Sequence, residues 1–265
     1  MAGCVDMNKE RADSKKRFHK LRAPIIAVIG ALLIAGVGVT AWLIRPQGVM
    51  NRAREALADT GSVRVNGITV SGVNGWLIEP KETGARTSVI FYPGARVPVE
   101  AYAPHARRVA AKGYEVYLVN MPLNLAILGW KKAGKIISSQ SDARNWVMAG
   151  HSMGGAMAAR FVSKTSYPIE GLVLWASYPP GGAKFDSGLA VLSITGDRDN
   201  IIDRDKIRMS RSQLPESARF VEIEGGNHSQ FGWYGFQSGD GRATISRNQQ
   251  MEIVANLTVD FLREL

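Results

Sequence analysis

The chain has 265 residues, 45% of them hydrophobic, which is enough for one sizeable core and a short additional segment. Its formal net charge of +10 would suggest a nucleic-acid partner only if the excess were clustered in the folded part. Seven basic and three acidic residues lie within residues 1–22, and no basic run occurs elsewhere. The charge distribution therefore argues against nucleic-acid binding.

An uninterrupted apolar stretch follows the basic tail. Residues Ile25 to Ile44 contain no charged side chain, and a helix of this length spans about 30 Å at about 1.5 Å per residue, the thickness of a membrane's hydrocarbon core. We expect a single transmembrane anchor over 23–45. Because the basic residues are concentrated before it, we expect 1–22 to be cytoplasmic and the rest of the chain to be extracytoplasmic at the cell membrane.

The apolar stretch is also compatible with a signal peptide. Val39 and Ala41 are small enough for a cleavage site after Ala41, and the protein would then be secreted. The long charged tail and the apolar run up to Ile44 favour the uncleaved anchor. The only cysteine, Cys4, precedes this run, so the predicted outer domain has no disulfide.

The folded part is predicted to begin with an antiparallel hairpin. Residues 46–61 have partly helical composition and are interpreted as a linker, and 62–265 as one domain. Ser62 to Ser71 and Val73 to Glu79 alternate apolar and polar side chains on either side of a turn at Gly72. This pattern predicts two antiparallel strands at the edge of a sheet.

From Thr87 onward, short runs rich in Val, Ile and Leu alternate with helical stretches. This alternation predicts an α/β fold with a mostly parallel central sheet and helices on both faces. A last helix is predicted to begin at Ser246, where Gln249 completes a capping box. The predicted strands are 88–92, 114–119, 146–149, 172–175, 189–195 and 220–223, and the helices between them are 99–112, 129–139, 154–163 and 203–212.

The most informative stretch lies between a predicted strand and a predicted helix, and reads Gly150-His-Ser152-Met-Gly154. Glycines two residues before and after Ser152 permit a turn so tight that the serine hydroxyl is pushed out at the end of the strand. The turn also aims the amide of Met153 at a developing oxyanion. Since Gly-x-Ser-x-Gly occurs by chance in about one chain of this size in ten, the motif needs support from elsewhere.

Turns after two later strands provide an acid and a histidine. The strand that ends at Gly196 leads into Asp197 and Asp199, and either aspartate is a candidate acid. Asp199 lies further beyond the carboxyl end of the strand, where ligands gather in open parallel sheets. His228 follows a double glycine at the end of the next strand. The order Ser152, Asp199, His228 is that of a catalytic triad.

The other three histidines have different expected roles. His19 lies in the basic tail, and His105 lies within a predicted helix as a surface or packing residue. His151 is expected to point away from the site into the sheet. None of the three combines the chain order and the position expected of a catalytic base.

A second oxyanion donor is expected in the loop after strand 88–92, which reads Pro93-Gly94-Ala95-Arg96. The amide of Ala95 is the first candidate and that of Arg96 the second. An ordinary turn without a catalytic role is the alternative.

Together these motifs resemble the bacterial α/β-hydrolase family over residues 62–265. The matching segments are Gly150-His-Ser-Met-Gly, the nucleophile elbow, Gly196-Asp-Arg-Asp199, the acid turn, and Gly226-Asn-His228, the histidine turn. The segments Tyr92-Pro-Gly-Ala-Arg, Met121-Pro-Leu-Asn-Leu and Gly225-Gly-Asn-His-Ser-Gln-Phe-Gly resemble a membrane-anchored or secreted subgroup related to dienelactone hydrolases and carboxylesterases.

The resemblance implies an α/β-hydrolase fold and a serine hydrolase that cleaves a carboxylic ester through an acyl-enzyme. It assigns Ser152 as nucleophile, Asp199 as acid and His228 as base. The substrate is expected to be a small-molecule, lipid or glycan ester, and no cofactor, metal or substrate-binding residue is indicated. An acyltransferase with the same triad and a non-catalytic binding scaffold remain open.

Many relatives carry a cap after the strand 172–175, but here only a short loop separates Trp175 from Leu189. We therefore expect no sizeable cap domain and an open site. Such a site should hydrolyse short, soluble esters without interfacial activation.

Overall fold

The computed structural model describes residues 45–82, 87–140 and 144–265, together with Gly30, Gly36 and Gly38. The chain forms two compact units, Met1–Arg45 and Pro46–Leu265. In the first unit the three glycines are helical. The predicted tail 1–22 and almost all of the predicted anchor 23–45 lie outside the described residues, so both remain predictions. Within the described part, none of the helices has the length and apolar character needed to cross a membrane.

A mostly parallel sheet forms the centre of the second unit. Its eight strands, counted over the described residues, are β1 (Val63–Val70), β2 (Val73–Pro80), β3 (Thr87–Tyr92), β4 (Glu115–Val119), β5 (Asn145–His151), β6 (Ile169–Trp175), β7 (Ala190–Gly196) and β8 (Arg219–Ile223). Their spatial order is β1-β2-β4-β3-β5-β6-β7-β8. Strand β2 is antiparallel to β1 and β4, whereas all other neighbours are parallel. The predicted edge hairpin and the predicted parallel sheet are both confirmed.

Helices cover the two faces of this sheet. Within the described part of the second unit the α-helices are α1 (Asn51–Glu55), α2 (Ala103–Ala110), α3 (Lys132–Ser139), α4 (Met153–Val162), α5 (Arg204–Ser210) and α6 (Arg247–Arg263). Helices α2 and α6 pack on the face to which Val89 and Phe91 point, and α3 and α4 pack on the face of Ile90 and Tyr92. Successive residues of β3 point to opposite faces of the sheet, and both faces are covered by helices. Strand β3 therefore has no exposed residue.

Helix α6 begins as its sequence predicts. The Ser246 hydroxyl oxygen accepts a hydrogen bond from the Gln249 amide at 3.2 Å, and the Gln249 side-chain oxygen accepts one from the Ser246 amide at 2.9 Å. This reciprocal pair satisfies two amides that would otherwise lack partners at the helix start. The predicted capping box is therefore confirmed.

The segment 46–61, interpreted from sequence as a linker, packs against the rest of its unit. The amide of Gln47 donates to the carbonyl of Arg96 at 2.7 Å, and the amide of Met50 donates to the carbonyl of Trp233 at 2.9 Å. Ala53 of α1 is completely buried. These contacts hold the start of the unit against two loops that lie near the candidate site described below.

Residues 176–189, between β6 and β7, form turns and irregular chain without a helix or strand. No cap domain is inserted at this position.

Candidate active site

The segments singled out in the sequence meet at one edge of the sheet. Strands β3, β5, β7 and β8 are parallel, so their carboxyl ends lie at the same edge. Ala95 follows β3, Ser152 follows β5, Asp199 follows β7 and His228 follows β8. This edge is where open parallel sheets bind their ligands.

Ser152 occupies the strained turn between β5 and α4, with φ 53° and ψ −124°. Non-glycine residues rarely adopt a positive φ, and such conformations are concentrated at functional sites. Hydrogen bonds to neighbouring segments hold the residue there. Its amide donates to the carbonyl of Trp175 at 2.9 Å, and its carbonyl accepts from the Ser177 hydroxyl at 2.7 Å.

The glycines on either side of Ser152 are required by close backbone packing. A Cβ atom on Gly150 would lie 2.5 Å from the carbonyl carbon of Gly154, and a Cβ atom on Gly154 would lie 2.1 Å from the carbonyl oxygen of Tyr92. Both distances are far below van der Waals contact. Larger side chains at these two positions would clash, as the sequence predicts.

Asp199 and His228 form a buried pair beside this turn. The distance from His228 Nδ1 to Asp199 Oδ2 is 2.7 Å, and the two side chains are 2% and 0% exposed. The other oxygen, Asp199 Oδ1, accepts the amides of Ile201 at 2.8 Å and Ile202 at 2.9 Å. The carboxylate is thereby fixed, and it favours the imidazole tautomer with its proton on Nδ1 and a free lone pair on Nε2.

Asp197, the rival acid, has a different contact. Its Oδ1 accepts the amide of Gly225 at 2.7 Å, which fastens the end of β7 to the turn that precedes His228. Its Oδ2 also lies 3.8 Å from Nε of Arg198. Of the two aspartates, Asp199 is the one in contact with the imidazole.

Two residues that the sequence did not single out support the histidine turn. The Gln250 side chain, fully buried on α6, accepts the Asn227 amide at 3.0 Å and donates to the Asn227 carbonyl at 2.8 Å. Asp240 accepts both the amide and the hydroxyl of Ser229, at 2.7 and 2.6 Å. The residues before and after His228 are thus each held by a buried polar side chain. In the sequence, the only indication of this support for the histidine turn is a glutamine within the predicted last helix.

His151 contacts the site more closely than its sequence position suggested. We expected it to point away into the sheet; it is buried, but its ring centroid lies 4.5 Å from that of His228. Because β5 extends through His151, the side chain reaches the aromatic cluster on the α2 and α6 face of the sheet. His228 therefore lies over the residue that immediately precedes Ser152. The hydrogen bonds found in the described part of the chain do not include one between the Ser152 hydroxyl and His228.

Tyr102 connects His151 to the candidate oxyanion loop. Its hydroxyl accepts the Gly94 amide at 3.0 Å and lies 2.9 Å from His151 Nδ1. The Gly94 amide can only donate, and the direction of the hydrogen bond between Tyr102 and Nδ1 depends on the tautomer of His151. Burial raises the pKa of Tyr102 well above its usual value and lowers the pKa of His151 well below its own, the latter with help from His228 and His105. Both groups are therefore neutral.

The loop after β3 leaves one of the two predicted oxyanion donors available. The amide of Arg96 donates to the carbonyl of Asn124 at 2.8 Å, so it is already occupied. Among the described hydrogen bonds, the amide of Ala95 has no acceptor. Met153, as the first residue of α4, likewise has no intrahelical acceptor for its amide. Ala95 and Met153 remain the two candidate donors.

His105 is a packing residue on α2. Its ring lies 5.1 Å from that of Trp175, and neither ring nitrogen has a hydrogen-bond partner among the residues that the structure describes. Burial lowers the pKa of His105 to about 3, and the nearby cations Arg247 and Arg108 add to the effect. The side chain is uncharged at neutral pH.

A metal site is not evident in the part of the chain that the structure describes, which contains no group of three or more His, Cys, Asp or Glu side chains able to hold an ion.

Comparison with known proteins gave one family match and many structural matches. A family model described as the alpha/beta hydrolase family matches residues 88–252. No curated protein matches the chain. Similar solved structures include an esterase from the planctomycete Thermogutta terrifontis with propionate bound, a dienelactone hydrolase from Anabaena variabilis and the esterase domain of a Rhodothermus marinus protein.

These structures share the fold with little sequence identity. The T. terrifontis esterase is 16% identical with a TM-score of 0.55, over 77% of this chain and 94% of the esterase. The A. variabilis enzyme is 15% identical with a TM-score of 0.52, over 76% and 97% of the two chains. The R. marinus domain is 12% identical with a TM-score of 0.56, over 76% and 98%.

Proposed function

The chain belongs to the alpha/beta hydrolase family, and on this basis we propose that it is a serine hydrolase that cleaves a carboxylic ester through an acyl-enzyme. The observation that carries the proposal is the buried contact between His228 and Asp199, 2.7 Å long, beside the strained turn at Ser152. A buried, hydrogen-bonded imidazole next to a serine elbow is the arrangement that serine hydrolysis requires.

In the proposed mechanism Nε2 of His228 removes the proton of the Ser152 hydroxyl as the serine oxygen attacks the carbonyl carbon of the ester. The carbonyl oxygen becomes an oxyanion and accepts hydrogen bonds from the amides of Met153 and Ala95. His228 then returns the proton to the leaving alcohol as the carbon–oxygen bond breaks. Water repeats the two steps on the acyl-enzyme and releases the acid. Asp199 holds the required tautomer and stabilises the imidazolium.

The substrate class of the proposed site is a carboxylic ester. The esterases and the dienelactone hydrolase among the similar structures support this choice. The short loop between β6 and β7 supports an open site, and we propose that short, soluble esters enter without interfacial activation. Ser152 is partly exposed whereas Asp199 and His228 are buried, so substrate has access to the nucleophile.

Hydrolysis of a series of 4-nitrophenyl esters, from acetate to laurate, tests the proposal. The full chain should release 4-nitrophenol, and Ser152→Ala should reduce the rate to that of the buffer. An unchanged rate in Ser152→Ala would refute the proposed nucleophile, and no hydrolysis by either protein would indicate a binding scaffold. Analysis of the acylated products in the presence of an added alcohol would reveal an acyltransferase.

We also propose that residues 23–45 anchor the enzyme in the cell membrane, with residues 1–22 in the cytoplasm and the hydrolase domain outside. The basic tail and the apolar run Ile25 to Ile44 support this location. Amino-terminal sequencing of the mature protein tests it. A mature chain that begins at Trp42 would refute the anchor in favour of a cleaved signal peptide.

A further inference from the structure

Backbone hydrogen bonds connect the start of the second unit to loops beside the proposed site. The amide of Gln47 donates to the carbonyl of Arg96, directly after the candidate oxyanion donor Ala95. The amide of Met50 donates to the carbonyl of Trp233, in the loop that follows His228. The segment 46–50 therefore lies at the rim of the site.

A third loop is joined to the same rim. The amide of Arg96 donates to the carbonyl of Asn124 at 2.8 Å, which attaches the loop 121–128 to the candidate oxyanion loop. Leu123 and Asn124 have φ values of 52° and 54°. Asparagine adopts this conformation readily, but leucine rarely does, and backbone strain of this kind is concentrated at active sites and ligand contacts.

These connected segments carry most of the exposed large apolar side chains. Of eight such side chains in the described part of the chain, five lie in 46–50, 121–128 and 231–236 and are 40% to 57% exposed. We call these five the apolar rim: Met50, Leu123, Ile127, Leu128 and Phe236. Apolar side chains collected on one surface mark an interaction site, whereas isolated ones need no explanation.

The charge of the rim is compatible with lipid phosphates. The segments 46–50, 93–98, 121–131 and 231–236 contain the cations Arg96 and Lys131 and no Asp or Glu. Cations beside apolar side chains are typical of surfaces that rest in the headgroup region of a bilayer.

The predicted anchor ends close in sequence to the first residue that contacts the rim. Only Arg45 and Pro46 separate Ile44, the last residue of the apolar run, from Gln47. Three steps of 3.8 Å between consecutive Cα atoms allow the chain from Ile44 to Gln47 to span at most about 11 Å. An anchor that ends at Ile44 would therefore deliver the rim to the membrane surface.

We propose that the apolar rim rests in the outer leaflet of the membrane and that the site opens toward it, so that the enzyme's own substrate is an ester resident in the bilayer. The inference rests on the proposed function and on the predicted anchor. Because no cap is inserted between β6 and β7, short soluble esters also enter, and the two activities are measured separately. A substrate held in the same bilayer meets the site at a high effective concentration.

The contact with lipid is tested by labels at two positions of similar exposure. Leu128, in the rim, is 56% exposed, and Met209, on α5, is 60% exposed. In a Cys4→Ser background, Leu128→Cys and Met209→Cys each carry one environment-sensitive fluorophore on the full chain. The labelled proteins are reconstituted in vesicles of phosphatidylcholine and phosphatidylglycerol, with or without brominated acyl chains.

Brominated lipid should quench the label at position 128 and leave the label at 209 unchanged, whereas aqueous iodide should quench mainly the label at 209. Quenching of both labels by iodide alone would overturn the proposal. A rim that is covered by another protein rather than by lipid would overturn it too. Equal quenching of both labels by brominated lipid would overturn it as well, since adsorption would then not be specific to the rim.

The substrate class is tested with the unmodified full chain in vesicles. A long-chain fluorogenic ester is supplied either in the same vesicles as the protein or in separate protein-free vesicles, at equal total amounts. We expect hydrolysis at least about 100-fold faster in the shared vesicles. Equal rates would overturn the inference. Hydrolysis of 4-nitrophenyl acetate in the same samples separates the two failures, since its absence would refute the proposed function itself.

Discussion

Nδ1 of His228 lies 2.7 Å from Oδ2 of Asp199, and both side chains are almost completely withdrawn from solvent. The position of the carboxylate is fixed independently of the histidine, because two backbone amides bind its other oxygen. A carboxylate held in this way orients the imidazole before any substrate arrives. The proposed catalytic step therefore depends on Asp199 for the tautomer and on His228 for the proton transfer.

The first prediction concerns Asp199. In Asp199→Asn the side-chain oxygen can still accept the amides of Ile201 and Ile202, but the amide group facing Nδ1 favours the wrong tautomer of His228. We expect kcat to fall by about 10³ to 10⁴ while circular dichroism and the melting temperature show a folded protein. Ester hydrolysis under saturating substrate measures the change.

Asp197→Asn is the matched control. The asparagine oxygen can still accept the Gly225 amide, so the turn before His228 should persist and kcat should change by less than about threefold. A large loss in Asp197→Asn with a small loss in Asp199→Asn would show that Asp197 is the catalytic acid.

The second prediction concerns Tyr102, which joins the Gly94 amide to His151 Nδ1. Tyr102→Phe leaves a buried amide without an acceptor and loosens the loop that carries Ala95. The unsatisfied amide should lower the stability by about 1–3 kcal/mol, and displacement of the oxyanion loop should lower kcat about tenfold with KM nearly constant. Steady-state kinetics on a soluble ester separates the two parameters.

Tyr92→Phe provides the comparison for Tyr102→Phe. The Tyr92 hydroxyl accepts the Ala133 amide and donates to the Trp130 carbonyl, both at 2.8 Å, on the opposite face of the sheet. Its loss should lower the melting temperature without a specific loss of kcat. If the two variants lose stability equally and both keep their kcat, Tyr102 has no role in positioning the oxyanion loop.

The third prediction is that His105 causes part of the decrease in the free energy of unfolding at acidic pH. Burial lowers the pKa of this group to about 3 in the folded protein, against about 6.5 in the unfolded chain. Between these values the unfolded chain binds more protons, so the free energy of unfolding decreases as the pH falls through this window. At pH 5 this difference in proton binding at His105 lowers the free energy of unfolding by about 2 kcal/mol.

Replacement by an apolar ring isolates this contribution. Because neither ring nitrogen of His105 has a hydrogen-bond partner within the described part of the chain, His105→Phe should fold. Its stability should fall less between pH 7 and pH 5 than that of the wild type. Denaturant unfolding at the two pH values measures the difference. Parallel pH dependences would show that His105 is not the responsible group.

The buried strands and the order of the site residues were accessible from sequence because each leaves a local pattern. Strands such as β3, buried on both faces, appear as continuous apolar runs, and the turn at Ser152 requires glycines at fixed positions. Asp199 was preferred over Asp197 for its position beyond the strand and for its spacing in the acid turn, which resembles that of the family. The hydrogen bonds to His228 and to Gly225 distinguish the two.

Other features of the site depend on contacts between distant parts of the chain. Gln250 supports Asn227 from α6, and Tyr102 reaches His151 from the end of a 3₁₀ turn. No motif around Gln250 or Tyr102 in the sequence indicates which distant residue each side chain contacts. The contact between His151 and His228 was not accessible from sequence for a related reason, since the two rings come from the ends of different strands.

The most direct test of the account is reaction of the folded full chain with a fluorophosphonate probe, followed by intact-mass and peptide analysis. The account predicts one adduct per chain on Ser152, no adduct in Ser152→Ala and labelling at least about 10³-fold slower in His228→Ala. An adduct that persists in Ser152→Ala, or a folded wild-type protein that does not react, would contradict the claim that His228 activates Ser152 as a nucleophile.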